Sequence, residues 1–323
     1  MLPLSPASTP ATARVRSRSS VVAVIDAAQM DAQVGEEIWR ALEENHIVYF
    51  PRSPVPLPDA QTLQQLRVEL PSRLSLKNIS YHPRKQRLSG LKADEATCTR
   101  TAAVLREHLD SVTGFLKQVM PHLCVGWTVG KTSFRPVQER GRNLRPHASN
   151  ELVHVDAGAY GATNGDRILR FFVNVNESED RIWASKGPIQ DVLDRHGRAA
   201  GLFDQNGRLQ VKIAKGATDH ARSLAVRALA SLNPLANALD SSPYDRAMRQ
   251  LHNYMKDNEE FKSDQRGYEE IRFPPGSAWM VFTDGCSHAA LAGQFAFITT
   301  IVMKRESQRY PHFAPYNLLT SRH

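Results

Sequence analysis

Cysteine is scarce: Cys98, Cys124 and Cys286 are the only three in a chain of 323 residues. An odd number at such wide spacings excludes a disulfide framework or a zinc knuckle and suits a reducing compartment. Long apolar runs are absent as well. Without about 18 consecutive apolar residues no segment reads as membrane-spanning, and the N-terminus lacks the apolar stretch of a secretory signal. A cytoplasmic protein is the expectation. A G-x-S-x-G elbow, a Cys/His pair in suitable context and a glycine-rich phosphate loop are missing too, which removes the main grounds for a nucleophilic hydrolase or a phosphate cradle.

What is present is an ordinary globular composition, 41% hydrophobic and 23% charged, long enough to bury a full core. Lys and Arg number 41 against 33 Asp and Glu, a formal charge of +8, and such an excess favours an anionic partner. The excess is clustered. Arg73, Lys77, Arg84, Lys85, Arg87 and Lys92 share one segment without an acid, and Arg135, Arg140, Arg142 and Arg145 follow with only Glu139 among them. Nucleic acid fits poorly, because no recognition helix, zinc finger or aromatic RNA-binding motif accompanies these charges.

Residues 1–20 are rich in Pro, Ser, Thr and Ala and carry Arg14, Arg16 and Arg18 without an acid. They read as a disordered basic tail, and residues 21–323 as a single domain. VVAVID and HIVYF are strand candidates on either side of a helical stripe formed by Val34, Ile38, Ala41 and Leu42. The clearest helix is expected over 101–120, where Val104, Leu105, Val112, Leu116 and Val119 share one face before Pro121. Strands then dominate, at roughly 126–135, 151–157, 167–176, 277–283 and 295–303. An insertion at about 186–265 holds a second helix near 243–262, opened by Ser242-Pro243. Many short strands with helices at the N-terminus and in one insertion give an α+β, mainly β fold. The expected core is a double-stranded β-helix, a cupin-like jelly roll, at about 126–305.

The pattern HxD occurs twice, as His108-Leu109-Asp110 and His154-Val155-Asp156. On a helix, residues i and i+2 point about 200° apart, so the first pair cannot chelate one ion; on a strand they share a face with Cα atoms about 7 Å apart. ELVHVDA alternates, setting Leu152, His154 and Asp156 on one side and Val153 and Val155 on the other. A third ligand from a later strand completes a two-histidine, one-carboxylate face that leaves positions open on iron(II). His288 is the best candidate. It follows a Pro-Gly turn and a hydrophobic strand, whereas His82, His147 and His252 read as loop or helix-surface residues and His196, His220, His312 and His323 lack strand context. Cys286, two residues earlier, either lines the site or is a buried spectator.

Open metal positions suit a keto-acid co-substrate, 2-oxoglutarate, whose far carboxylate needs a basic clamp such as the planar fork of Arg. About ten residues beyond His288, where many such enzymes carry that base, stand Phe297, Ile298 and Thr299. On the strand RILRFFVNVN, Arg170, Phe172, Asn174 and Asn176 share a face, which makes Arg170 the first choice, since a buried Arg is costly without an anion. Arg135 is the second, and Thr299 or Thr300 offers a hydroxyl.

Five ordered blocks, KNISYHP (77–83), ELVHVDA (151–157), GDRILRFFVNVN (165–176), SPYDRAMRQLHNYMK (242–256) and PPGSAWMVFTDGCSHAALAGQF (274–295), together resemble the 3-deoxy-D-manno-octulosonic acid (Kdo) hydroxylase family from about residue 40 to 320. The resemblance implies hydroxylation of C3 of Kdo in the lipid A inner core, giving Ko, with Fe(II), 2-oxoglutarate and O₂. It implies metal-ligand roles for His154, Asp156 and His288 and substrate contacts at Lys77, Asn78 and Arg84. A carboxylated sugar on a phosphorylated lipid gives the basic segment 73–92 a physical purpose. It also accounts for a basic protein that touches the cytoplasmic face of the inner membrane without spanning it. One departure is GAYGATN at 158–164, where the family pattern leads one to expect a bulky segment with Pro and Arg. Two other readings stand beside this one. The same chemistry on a different anionic sugar or lipid is the first; a noncatalytic jelly-roll metal- or sugar-binding protein is the second, disfavoured because no fourth ligand closes a zinc site.

Overall fold

The computed structural model describes residues 15–17, 20–26, 28, 30–159, 162–214, 216, 219 and 242–322. Its β-branched and aromatic runs pair into two sheets. The strands are β1 (Val15–Ser17), β2 (Val22–Ile25), β3 (Ile47–Phe50), β4 (Ile79–His82), β5 (Arg87–Ser89), β6 (Thr128–Arg135), β7 (Arg167–Asn174), β8 (Arg181–Ser185), β9 (Glu269–Phe273), β10 (Ala278–Phe282), β11 (Ala289–Ala292) and β12 (Ala296–Met303). A nine-stranded sheet has the order β1-β2-β3-β10-β7-β12-β6-β4-β5, and a three-stranded sheet the order β11-β8-β9. Of the expected basic tail, Val15–Ser17 pair with β2, while residues 1–14, 18 and 19 lie outside the described residues.

Period-two alternation decides what each face of the large sheet meets. Phe50, Phe171, Val173, Phe282 and Phe297 pack against α1 (Ala32–Glu43) and α3 (Glu95–Val119), which contribute Ile38, Leu42, Leu105, Val112 and Leu116. The intervening α2 is Ala60–Glu69; Asp31, Asp59 and Asp94 cap the three helices by accepting from Val34, Thr62 and Thr97 backbone N–H groups. The opposite face places Tyr49, Phe172, Trp279, Val281 and Ile298 against Trp183, Ile271, Phe273 and Ala290 of the small sheet. That sandwich is the jelly-roll core.

His108 belongs to the helical side. It sits within α3, 3% exposed, tilted against Phe297 at 4.8 Å between ring centroids, with no hydrogen-bond partner on either nitrogen. The first HxD is a packing feature.

Between β8 and β9 the described chain forms α4 (Ile189–His196), α5 (Pro243–Asp257) and α6 (Glu259–Ser263). The single helix expected over 243–262 is interrupted because Asn258 is extended, at φ −80° and ψ 124°, and caps α6 through its side chain. Ser242 and Asp245 form a reciprocal capping box that starts α5 with Pro243 in its first turn. Met248, Leu251 and Met255 then bury against Val155 and Ile189 in a second core. The last helix, α7, spans Pro315–Thr320. Among the described residues, no helix is long and apolar enough to cross a membrane.

Candidate metal centre

The stretch expected as a strand over 151–157 makes no continuous ladder; its one bridge is His154 to His288. The His154 N–H donates to His288 O at 3.0 Å, the His288 N–H returns to His154 O at 2.8 Å, and the Asp156 N–H donates to Thr283 O at 2.8 Å. Two partners separated by a turn replace a single strand partner, so the backbone stays extended and keeps His154 and Asp156 on one side. Val155, fully buried, faces the α5 core instead. Alternation therefore survives without a ladder.

His154, Asp156 and His288 offer ligand atoms that all lie within 4.8 Å of one another. The His154 Nε2 is 3.9 Å from Asp156 Oδ1. His154 Nδ1 donates to Leu152 O at 2.7 Å and His288 Nδ1 to Cys286 O at 3.0 Å. Each carbonyl fixes the proton on Nδ1 and leaves the Nε2 lone pair for a cation, the arrangement that metal-binding imidazoles need. Burial, reinforced at His154 by the neighbouring His288, keeps both imidazoles neutral against the opposing pull of the Asp156 carboxylate, with His154 well below its ordinary range. Burial pushes the Asp156 carboxyl up, but the adjacent Arg170 guanidinium, with a hydrogen bond from the Thr283 side chain, helps outweigh it and hold the group ionised. Trp183 stacks on His288 at 5.3 Å and 24°, closing one side of the site with an apolar wall.

Arg170 projects from β7 towards the triad, its Nη2 2.8 Å from Asp156 Oδ2. The contact is one of charge, because the N–H is not directed at that oxygen: Asp156 Oδ2 and Arg170 Nε are both buried without a hydrogen-bond partner. Arg135 lies on the same face of the sheet, 15% exposed and paired with Glu139 at 3.3 Å, and burial lowers its pKa to about 10. Glu139 also holds the fully buried Arg181 at 3.0 Å and Arg142 at 3.4 Å. Arg135 Nε and Arg181 Nε are further unpartnered donors. The unpartnered Nε donors of Arg170 and Arg135 near the ionised Asp156 carboxylate are what a pocket for a cation plus an anionic co-substrate requires, so the residues present fit iron with a keto acid.

The strand registers sort the remaining expected contacts. Thr300 stands opposite Arg170, whereas Thr299 stands opposite Phe171 on the helix-packed face and hydrogen-bonds Thr132 at 2.8 Å. Thr299 is thus on the wrong side for a co-substrate contact, and Thr300 has the right one. Asn174 shares Arg170's face, but its amide is spent on the carbonyls of Glu179 and Phe273, at 2.9 and 2.8 Å, and on the Asn176 N–H. It ties β7 to β9 and has no N–H donor left for an anionic cofactor. Lys77 is exposed, and partial desolvation followed by repulsion from Arg135 and Arg142 lowers its pKa, which places it at the rim. Asn78 is half-buried in the segment packed on Gly90, and Arg84 reaches Thr128 on β6 at 3.4 Å. The Cys286 thiol is a buried spectator that burial pushes up to about 12.

Sequence reasoning missed the contribution of α5. Its N-terminal Asp245 accepts from the Thr163 N–H and hydroxyl, its His252 Nδ1 donates to Val155 O at 2.7 Å, and its Lys256 Nζ donates to Ser149 O at 2.9 Å and His147 O at 3.2 Å. The helix splints the chain at His147, Ser149, Val155 and Thr163. His252, expected on the helix surface, instead meets His154 edge-on at 5.0 Å and 78°. The signal was present, since His252 is four residues beyond Met248 and three before Met255, on the apolar side of the stripe. Tyr160 and Gly161, within the glycine- and alanine-rich departure, lie outside the described residues.

The sequence model of the family described as 3-deoxy-D-manno-oct-2-ulosonic acid (Kdo) hydroxylase matches residues 26–322. Among solved structures, the Kdo hydroxylase KdoO, a non-heme Fe(II) alphaketoglutarate-dependent dioxygenase in complex with alphaketoglutarate and Fe(III), is 27% identical with a TM-score of 0.76, covering 93% of this chain and 95% of that one. Its apo structure gives 27% identity and a TM-score of 0.77 with the same coverage. The cobalt(II) complex gives 27% and 0.76 over 92% of this chain and 95% of that one. No curated relative matches the chain by sequence.

Proposed function

The chain belongs to the Kdo hydroxylase family, and from that premise we propose that it hydroxylates C3 of a Kdo residue in the Kdo–lipid A inner core, giving Ko, while touching the cytoplasmic face of the inner membrane. The enzyme is an iron(II)- and 2-oxoglutarate-dependent dioxygenase that acts on Kdo. The observation that carries the reading is the triad itself: two imidazoles with Nδ1 committed to carbonyls and one ionised carboxylate, their free ligand atoms within 4.8 Å of one another.

In this reading His154, Asp156 and His288 hold the iron, and three protein ligands leave positions for a co-substrate. Iron supplies, when bound with 2-oxoglutarate, the activation of O₂ that hydroxylation of a C–H bond requires. Arg170 supplies the clamp for the far carboxylate of 2-oxoglutarate. Its present partner is Asp156, whose charge a bound cation would share, freeing the guanidinium for a second carboxylate. Thr300, across the ladder from Arg170, adds a hydroxyl. Trp183 and the aromatic layer behind it exclude water from one side, and Lys77 and Arg142 give the rim a positive charge for an acidic sugar. Lys77, Asn78 and Arg84 remain the proposed substrate contacts.

The test is incubation of Kdo–lipid A with the enzyme, iron(II), 2-oxoglutarate and O₂, with mass spectrometry and NMR of the product. A gain of one oxygen located at C3 of Kdo is expected. Oxygen at another carbon would overturn the C3 assignment, and an unchanged acceptor beside turnover of another sugar acid would overturn the substrate.

A further inference from the structure

One ring beside the triad has no part in the chemistry so far. His252 is delivered by α5, whose capping box and buried Met248, Leu251 and Met255 fix its position. Its Nδ1 donates to Val155 O at 2.7 Å, so the carbonyl of the residue between the two clip ligands dictates the tautomer. The ring meets His154 edge-on with centroids 5.0 Å apart, yet His252 is not part of the group whose ligand atoms converge. Nε2 is its remaining polar atom. No hydrogen bond to it is found among the described residues, whereas the Asp245, Lys256 and Asp257 side chains of α5 are bonded or ion-paired to Thr163, to the His147 and Ser149 carbonyls and to the His147 ring. A metal ligand's neighbour with one nitrogen anchored and the other open is placed to read a ligand, since an anchored ring loses little freedom when it binds.

We propose that His252 is a specificity-determining residue, whose Nε2 accepts a hydrogen bond from a hydroxyl of the sugar lying beside the metal. With Nδ1 protonated, the neutral ring presents a lone pair at Nε2, so it selects a hydroxyl donor. Lys256, one turn further along α5 and only 2% exposed, fastens the helix to the His147 and Ser149 carbonyls and keeps the ring at this height. The inference rests on the proposed function for the identity of the sugar and on the structure alone for the residue.

The experiment compares wild type with His252→Phe and His252→Gln. Three readouts are taken: thermal melting of the metal-free proteins, the visible absorption of the anaerobic iron(II)–2-oxoglutarate complex, and the ratio of hydroxylated Kdo acceptor to succinate. His252→Phe is expected to stay folded, melting a few degrees below wild type because the Val155 carbonyl loses its donor, and to keep the absorption band. Its KM for the acceptor rises about tenfold, the factor equivalent to about 1.4 kcal/mol, and less product forms per succinate. His252→Gln, whose amide can serve either the Val155 carbonyl or the hydroxyl, recovers part of the loss. Loss of the absorption band in step with activity would overturn the proposal in favour of a purely structural support for His154, and an unchanged KM and product ratio would overturn it outright. Wild-type turnover of the same acceptor tests the proposed function, whereas the ratio of variant to wild type tests His252.

Discussion

Replacing His108 with Leu separates the two HxD pairs by measurement. His108 is fully buried, both nitrogens lack partners, and burial lowers its pKa from 6.5 to about 4. The unfolded chain therefore takes up a proton below pH 6.5 that the folded chain refuses until about pH 4. Stability falls as pH drops through that window and the penalty levels off below it. At 1.36 kcal/mol per pH unit the full penalty is about 3 kcal/mol, and at pH 4.5 it is about 2.5 kcal/mol. Leucine has nearly the same volume and no proton to bind, so His108→Leu should equal or exceed wild type at pH 8 and gain about 2.5 kcal/mol relative to it at pH 4.5. Urea unfolding of the metal-free proteins at both pH values measures the difference, while succinate release at neutral pH should be unaltered. Parallel loss of stability in the two proteins would refute the account of His108 as a buried neutral ring. Loss of metal binding would return it to the list of ligands.

Arg170→Ala should raise the KM for 2-oxoglutarate about 30- to 100-fold, the range expected on losing a charge-assisted double hydrogen bond, and Arg135→Ala should do so much less; the reverse order in steady-state kinetics would move the clamp to Arg135. Glu139→Gln leaves the fully buried Arg181 and the nearby Arg135 without their carboxylate, so it should cost about 3 kcal/mol of stability in urea melts. A loss below about 1 kcal/mol would show that Glu139 is not the hub of these arginines.

How much of this was legible in the sequence depends on whether a residue's partner lies on its own strand. The faces of RILRFFVN could be read from alternation alone, and Arg170 duly stands on the triad side of β7. Thr299 and Thr300 were not separable, because choosing between them requires the register of β12 on β7, which a single strand does not carry. The clip was identified as a strand for the right consequence and the wrong pairing: its extended form comes from His288 and Thr283, over 120 residues away in sequence. Asn174 looked like a polar lining residue because its two acceptors, the Glu179 and Phe273 carbonyls, belong to a turn and to β9. His252 was set aside as a helix-surface residue because the helical stripe says which side is buried without saying against what. The small sheet escaped notice for a related reason. Its strands are four or five residues long, and AALA carries no β-branched residue to announce it.

The most direct test is succinate release measured with and without Kdo–lipid A for wild type, His154→Ala and His288→Ala, each checked for folding by circular dichroism. The account predicts one succinate per hydroxylated acceptor in wild type and loss of acceptor-dependent release in both variants while the fold survives. Undiminished acceptor-dependent turnover in either variant would contradict the assignment of the metal to His154, Asp156 and His288.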